Sequence, residues 1–282
     1  MKILITSFYV AFGLWVGNPG SIANAQPKLI SDAAPQCVFS GKSRNIVVVW
    51  HNPTDAIVGA EINARILQTS SATAVRLSEA PWKNLQVLPQ QTVLESARLD
   101  FPPVRAKTTF LVQWVQNSNN ILGKTEVLVY PTNLLVELKS LMGENILGVL
   151  DPNNVLKPLL MQSGADFVDL GETPLDDFRG KLAIIGPFQS KIQMREGLPQ
   201  AVQQIARKGV AAVWIQPRPA PTDKIEPSFY FVPQGKGAIL VVQADLVANL
   251  AENPRAQLNL IFLSKLALHP ELFPLPDLKG QL

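Results

Sequence analysis

The sequence predicts a two-domain fold: an all-β sandwich followed by an α/β three-layer domain with a mostly parallel sheet. Two patterns along the 282 residues indicate this. Residues 36–131 contain short runs of Val, Ile, Thr and aromatic residues, often alternating with polar ones and separated by turn residues. After residue 145, wholly apolar runs alternate with helical segments, which is typical of a parallel sheet covered on both faces. Charged residues make up 17% of the chain and hydrophobic residues 47%, so the composition is globular.

The first 25 residues carry the pattern of a secretory signal peptide. A cation at Lys2 precedes an apolar stretch at 3–16, and an Ala-Asn-Ala sequence ends at residue 25. We therefore expect cleavage before Gln26 and export to the periplasm or the extracellular space. The mature chain is expected to have no transmembrane segment. The alternative is an uncleaved anchor formed by the same apolar stretch.

The predicted β-sandwich covers residues 26–131. Its strands are expected at 45–51, 61–68, 92–101, 108–116 and 124–130. The stretch PWKNLQVLPQQTVLESARLDFP resembles the paired-strand region of bacterial Ig-like domains, although the Cys–Trp–Cys pattern of true immunoglobulin domains is absent. Trp82 and Trp114 are candidate platforms for stacking on sugars. For Trp114 the alternative is a place in the core.

A connecting helix is predicted at 132–144, with Asn133 as its N-cap, and the α/β domain at 145–268. The apolar runs that predict its strands are 146–151, 165–170, 181–188, 210–217 and 237–243. The last predicted helix begins at Asn253 and Pro254, a favourable N-cap and N1 pair. Residues 269–282 are expected to form a Pro-rich extended tail.

The phrases ILGVLDP, GKLAIIGPF, ARKGVAAVWIQ and QGKGAILVVQADL, in this order, resemble the class I glutamine amidotransferase-like fold over residues 145–268. The resemblance is to the catalytically silent members attached to bacterial envelope proteins, and it implies a flavodoxin-like sheet. The family's enzymes use a Cys elbow after a strand and a His-Pro-Glu triplet after a later strand. Here the elbow position has Gln216-Pro217-Arg218-Pro219, and His269 follows a predicted helix. Amidotransferase activity is therefore not expected.

Several other chemistries lack support in the sequence. A net charge of +3 is too even to indicate a nucleic acid partner. The single Cys37 and the two histidines, His51 and His269, show no metal-ligand spacing, and no motif indicates a cofactor. We interpret Cys37 as a small buried hydrophobic residue; a nucleophile or a dimer-forming thiol is the alternative.

Polar residues follow the predicted strands of the α/β domain. Because ligands of open α/β sheets bind beyond the carboxyl ends of the strands, these residues are a candidate ligand site. They are Asp151, Gln189, Gln216, Arg218, Gln243 and Asp245. Amides and carboxylates at one edge could bind sugar hydroxyls. The alternative is that Asp151 and Asp245 cap the helices that follow them.

These observations favour an exported, non-catalytic binding or assembly protein of the bacterial cell envelope, with an envelope protein or a carbohydrate as its partner. One alternative is a carbohydrate hydrolase using Asp151 and Asp245, and another is a pure oligomerisation module. A hydrolase requires two carboxylates about 5–10 Å apart in a deep pocket. A carbohydrate binder requires a shallow polar cleft, and an assembly module an exposed apolar surface.

Overall fold

The computed structural model describes residues 26–117, 119–217 and 228–272. The predicted signal peptide, the candidate site residue Arg218 and tail residues 273–282 lie outside the described residues. Within the described part, no helix is both long and apolar enough to cross a membrane.

The N-terminal half contains eight strands in two sheets. The strands are β1 (Lys28–Ile30), β2 (Gln36–Phe39), β3 (Ser43–His51), β4 (Val58–Thr69), β5 (Ala74–Val87), β6 (Thr92–Asp100), β7 (Thr108–Gln116) and β8 (Asn120–Tyr130). One sheet has the order β1-β3-β6 and is antiparallel. The other has the order β2-β8-β7-β4-β5 and is antiparallel except for the parallel pair β2 and β8.

Both sheets contribute to one apolar core. Trp50 of β3 and Trp114 of β7 are fully buried and meet edge to face, with ring centroids 6.4 Å apart. Along β4, Ile62, Ala64 and Ile66 are buried while the residues between them are partly exposed, which is the alternation of a strand with one covered face. Trp114 therefore belongs to the core, as its apolar neighbours predict.

The C-terminal half contains one six-stranded sheet and four α-helices. Its elements are α1 (Val136–Met142), β9 (Leu147–Leu150), α2 (Lys157–Ser163), β10 (Phe167–Asp169), β11 (Leu182–Ile185), α3 (Leu198–Arg207), β12 (Ala211–Gln216), β13 (Phe229–Gln234), β14 (Gly237–Gln243) and α4 (Pro254–Leu268). The strand order is β10-β9-β11-β12-β14-β13, parallel except for β13 at the edge.

Helices cover both faces of this sheet, which explains its wholly apolar strands. Residues of α1, α2 and α4 pack with one face in a single cluster, and α3 packs with the other. Asn253 accepts a hydrogen bond from the Arg255 amide at 3.0 Å, which confirms the predicted start of α4. The predicted N-cap of the connecting helix is wrong: Leu135 occupies that position, and the Asn133 side chain instead accepts a hydrogen bond from the Leu135 amide.

The predicted fold class is wrong for the N-terminal half. The prediction is a separate all-β sandwich, whereas the structure has a β-rich region of two sheets, one of them containing a parallel pair. This region is not clearly a separate domain, because Phe39 and Tyr130 form a shared apolar cluster with Leu258 and Ile261 of α4. Pairing between segments far apart in sequence is decided by tertiary contacts, which alternation within one segment does not encode.

Polar contacts also fix α4 to the connecting segment, and an ion pair joins the two halves. Gln257 of α4 is fully buried; its Oε1 accepts from the Leu134 amide and its Nε2 donates to the Leu250 carbonyl, both at 2.8 Å. Arg44 of β3 forms an ion pair with Glu252, just before α4. The contact between the halves is therefore specific rather than a loose linker arrangement.

Four strands, β1, β2, β5 and β13, lie outside the strand ranges expected from the sequence, although the end of β5 falls in the stretch that resembles a paired-strand region. In β5 the residues of both faces are mostly exposed, so the alternation that predicts a strand is missing. In β13 the residues lie in a stretch where several prolines predict a loop, but antiparallel pairing with β14 holds them at the sheet edge.

Candidate functional site

The parallel strands bring four of the six candidate ligand residues to one edge of the sheet. Asp151 follows β9, Gln189 lies in the segment after β11, and Gln216 and Gln243 end β12 and β14. Since these strands are neighbours in the order β9-β11-β12-β14, the residues lie along the carboxyl edge. Gln216 and Gln243 are direct partners in the pairing of β12 with β14.

Asp151 has a structural role at this edge. Its side chain is 5% exposed, and its Oδ2 accepts hydrogen bonds from the amides of Leu156 and Lys157 at 2.6 and 3.0 Å. These are amides at the start of α2 that have no partner within the helix. Leu156 occupies the N-cap position of α2, so Asp151 is not the predicted N-cap residue, although it binds these amides from five residues earlier in the chain. Its Oδ1 is buried and has no hydrogen-bond partner among the described residues.

Asp245 does not cap a helix as predicted. It lies inside a short 3-10 turn at Ala244–Val247, and the next α-helix, α4, is capped by Asn253. Asp245 is exposed, in contrast to the buried Asp151. The two carboxylates therefore lie in very different environments.

Two amides that were not predicted as site residues organise the edge between β9 and β11. Asn153 donates from Nδ2 to the Pro187 carbonyl at 2.7 Å, and its Oδ1 accepts from Gln193 Nε2 at 2.8 Å. Gln193 Oε1 in turn accepts from the Gln189 amide at 2.7 Å. Their only sequence signal is that each lies a few residues beyond the end of a strand. Because the amides bond one another and the backbone, they stabilise two loops at the point where the strand order changes direction.

The histidines form no catalytic arrangement within residues 26–117, 119–217 and 228–272. His51 Nδ1 lies 3.1 Å from Thr92 Oγ1 on the neighbouring strand. His269 follows the last turn of α4, as expected, and its Nδ1 lies 3.3 Å from a Glu271 carboxylate oxygen at an exposed position. In the same ranges, no group of three or more His, Cys, Asp and Glu residues could hold a metal ion.

Cys37 lies in the contact between β2 and α4 and is half-buried. The Arg255 Nε donates to its Sγ at 3.2 Å, so the thiol has a polar partner and is not simply a buried apolar group. Burial, followed by the nearby Cys37, raises the pKa of the Tyr130 hydroxyl above its ordinary value. The cluster belongs to the packing of the two halves.

A cavity lies in the β-rich region, away from the carboxyl edge. It is a groove of about 890 Å³ between β4 and β5 on one side and β6 on the other, lined by residues of the stretches 64–68, 77–82 and 98–102. Trp82 is half-buried in the groove wall, with its ring centroid 4.7 Å from that of Trp114. One face of Trp82 is thus taken up by the core, which leaves it less suited to stacking on a sugar.

Comparisons with known proteins give no family for this chain. No family model matches the sequence. No curated protein matches it either. The resemblance of residues 145–268 to the amidotransferase-like fold remains a prediction.

Among solved structures, the chain is similar in part to the alkylpurine DNA glycosylase AlkC of Pseudomonas fluorescens, with 13% identity, a TM-score of 0.30, and coverage of 38% of this chain and 31% of that one. A β-glucosidase of Listeria innocua shows 14% identity, a TM-score of 0.28 and coverage of 37% and 16%. A GH3 β-glucosidase of Bifidobacterium adolescentis shows 10% identity, a TM-score of 0.26 and coverage of 37% and 17%. The chain therefore spans less than a third of each of these proteins, and likenesses at this level support no functional assignment.

Proposed function

We propose that this chain is an exported, non-catalytic binding or assembly protein of the bacterial cell envelope. The observation that carries the proposal is the state of Asp151. A hydrolytic carboxylate must face its partner across an open gap of about 5–10 Å that accommodates the substrate. Asp151 is 5% exposed, and its Oδ2 is already bonded to two amides at the start of α2.

Two further amides at the carboxyl edge support the same conclusion. Asn153 and Gln193 bond each other and the backbone, so their amides hold loops together instead of pointing free donors at a ligand. Export rests on the signal pattern of residues 1–25, which supports a location in or beyond the periplasm.

Of the two binding roles, assembly with another protein is favoured over carbohydrate binding. In the groove beside β6, Leu77 is 44% exposed, while Ile66 and Phe101, which also line the groove, are buried. Exposed apolar surface of this kind marks protein interaction, whereas sugar sites offer polar groups around an accessible aromatic face.

The test is to produce the full chain with its own N-terminal segment in a Gram-negative host. We expect recovery from the periplasm with Gln26 as the first residue, no hydrolysis of a panel of nitrophenyl glycosides, and one cross-linked species of higher, defined mass in the envelope. The control variant is Asp166→Asn, at an exposed aspartate directly before β10. Glycoside hydrolysis that is lost in Asp245→Asn but kept in this control would overturn the proposal. So would a chain that stays in the cytoplasm or is monomeric after cross-linking.

A further inference from the structure

The strands β5 and β6 follow one another in the chain but belong to different sheets. They are joined by a turn at residues 88–91, in which the Gln91 amide donates to the Leu88 carbonyl at 3.1 Å. Near this turn, an ion pair joins the two strands: Lys83 Nζ lies 2.6 Å from Glu95 Oε2. Beyond the bridge β5 continues in the five-stranded sheet and β6 in the three-stranded sheet, and the groove fills the gap between them.

The groove exists because the smaller sheet leaves part of the larger one uncovered. Three strands face five, and β6 is the last strand of its sheet. The floor consists of side chains of β4 and β5 that are mostly small or apolar: Leu77, Ser78 and Ala80 are exposed, while Ala64 and Ile66, which also line the groove, are buried. A free sheet edge beside exposed apolar side chains can accept one further strand.

The free edge of β6 offers hydrogen bonds for such a strand. Within the part of the chain that the structure describes, β6 pairs with β3 alone, so its other side has no strand partner. The side chain of Arg98, exposed on β6 and lining the groove, forms no hydrogen bond or ion pair with the described residues. An unpaired guanidinium beside an apolar floor favours a partner with a carboxylate at the matching position.

We propose that a strand of a partner protein adds to the free edge of β6 and completes the three-stranded sheet. Its inward side chains are apolar and cover Leu77 and Ala80, which are exposed on the floor, and an acidic residue pairs with Arg98. The walls at residues 77–82 and 98–102 accommodate about six extended residues, or about 20 Å of strand. Strand addition of this kind obtains affinity from main-chain hydrogen bonds and selectivity from alternate side chains. The inference rests on the proposed assembly function and names its surface and its partner class.

The experiment selects peptides from a displayed library of random linear nonapeptides, using the mature protein as bait. We expect enrichment of sequences with alternating apolar residues and one acidic residue. Ser78→Trp, which fills the groove, should weaken binding of a selected peptide at least about tenfold, as measured by fluorescence anisotropy. The matched control is Ser31→Trp, at an exposed position just after β1 and outside the groove, and it should bind as the parent does.

Two further comparisons separate strand addition from simple apolar contact. Methylation of alternate peptide nitrogens removes the donors that pair with β6 and should abolish binding. Arg98→Ala should weaken binding about threefold to tenfold, while Arg105→Ala, in the exposed loop after β6, should not. Circular dichroism of each variant checks that it is folded.

The proposal is overturned if no peptide family is enriched, if Ser78→Trp and Ser31→Trp bind alike, or if the methylated peptide binds as well as its parent. A wild-type dimer in light scattering that becomes a monomer in Ser78→Trp would assign the groove to a second copy of the chain and also overturns it. If the cross-linked envelope complex forms equally well in Ser78→Trp, assembly stands and the β6 edge is not its surface.

Discussion

Replacement of Asp151 tests whether this carboxylate is structural. In Asp151→Ala, the amides of Leu156 and Lys157 lose their acceptor, and the first of them is buried. A lost cap costs about 0.5–2 kcal/mol and a buried unsatisfied amide about 1–3 kcal/mol, so we expect a destabilisation of about 2–3 kcal/mol. For a chain of this size, that lowers the melting temperature by about 4–10 °C.

The conservative variant distinguishes the structural role from a catalytic one. Asp151→Asn keeps an oxygen that can accept from both amides, so we expect it to recover at least about half of the stability lost in Asp151→Ala. The assay combines thermal melting with hydrogen exchange at the amides of Leu156 and Lys157, which should exchange faster in the alanine variant. Equal stability of Asp151→Ala and the parent would refute the reasoning, as would an asparagine variant no better than alanine.

Two further predictions follow from buried and paired polar groups. Gln257→Leu leaves the Leu134 amide and the Leu250 carbonyl without their partner, so we expect a loss of about 2–4 kcal/mol in chemical denaturation; a loss below about 0.5 kcal/mol would contradict this. A side-chain hydrogen bond from Lys157 lowers the pKa of Asp169 below its ordinary value of 3.8. The ion pair of Lys157 with Asp169 therefore stabilises the folded state above that pH, and this stabilisation is lost as the pH falls through and below it. In Lys157→Met, the loss of folding free energy on the acid side should be smaller by at most about 1 kcal/mol. An unchanged dependence of stability on acid pH would show that this pair is not responsible.

The sheet of the C-terminal half was accessible from the sequence because its signals are local. Wholly apolar runs of four to eight residues predict buried strands, and the residues just after such strands must lie at one edge when the strands are parallel. This places Asp151, Gln216 and Gln243 at the carboxyl edge without coordinates. The cap at Asn253 was equally predictable, since its residue type and the following proline act within one turn.

The state of each edge residue, in contrast, was decided by tertiary contacts. Asp151 and Asp245 both follow strands, yet one is buried under the start of α2 and the other is exposed within a 3-10 turn. The bonds of Asn153 and Gln193 join two loops that are 40 positions apart in sequence. No local pattern encodes such a partner.

The sequence alone determined the export pattern, the apolar strands and the absence of the amidotransferase motif, because each of these depends on residue types within a short stretch. Only the tertiary structure decided that the N-terminal strands divide into two unequal sheets, one with a parallel pair, and that these pack against α4. The division of β5 and β6 between those sheets opens the groove, and among the described residues β6 has no strand partner on its other side. Strand partners are chosen by burial against the whole molecule, and therefore the surface proposed for binding could not be found in any single segment.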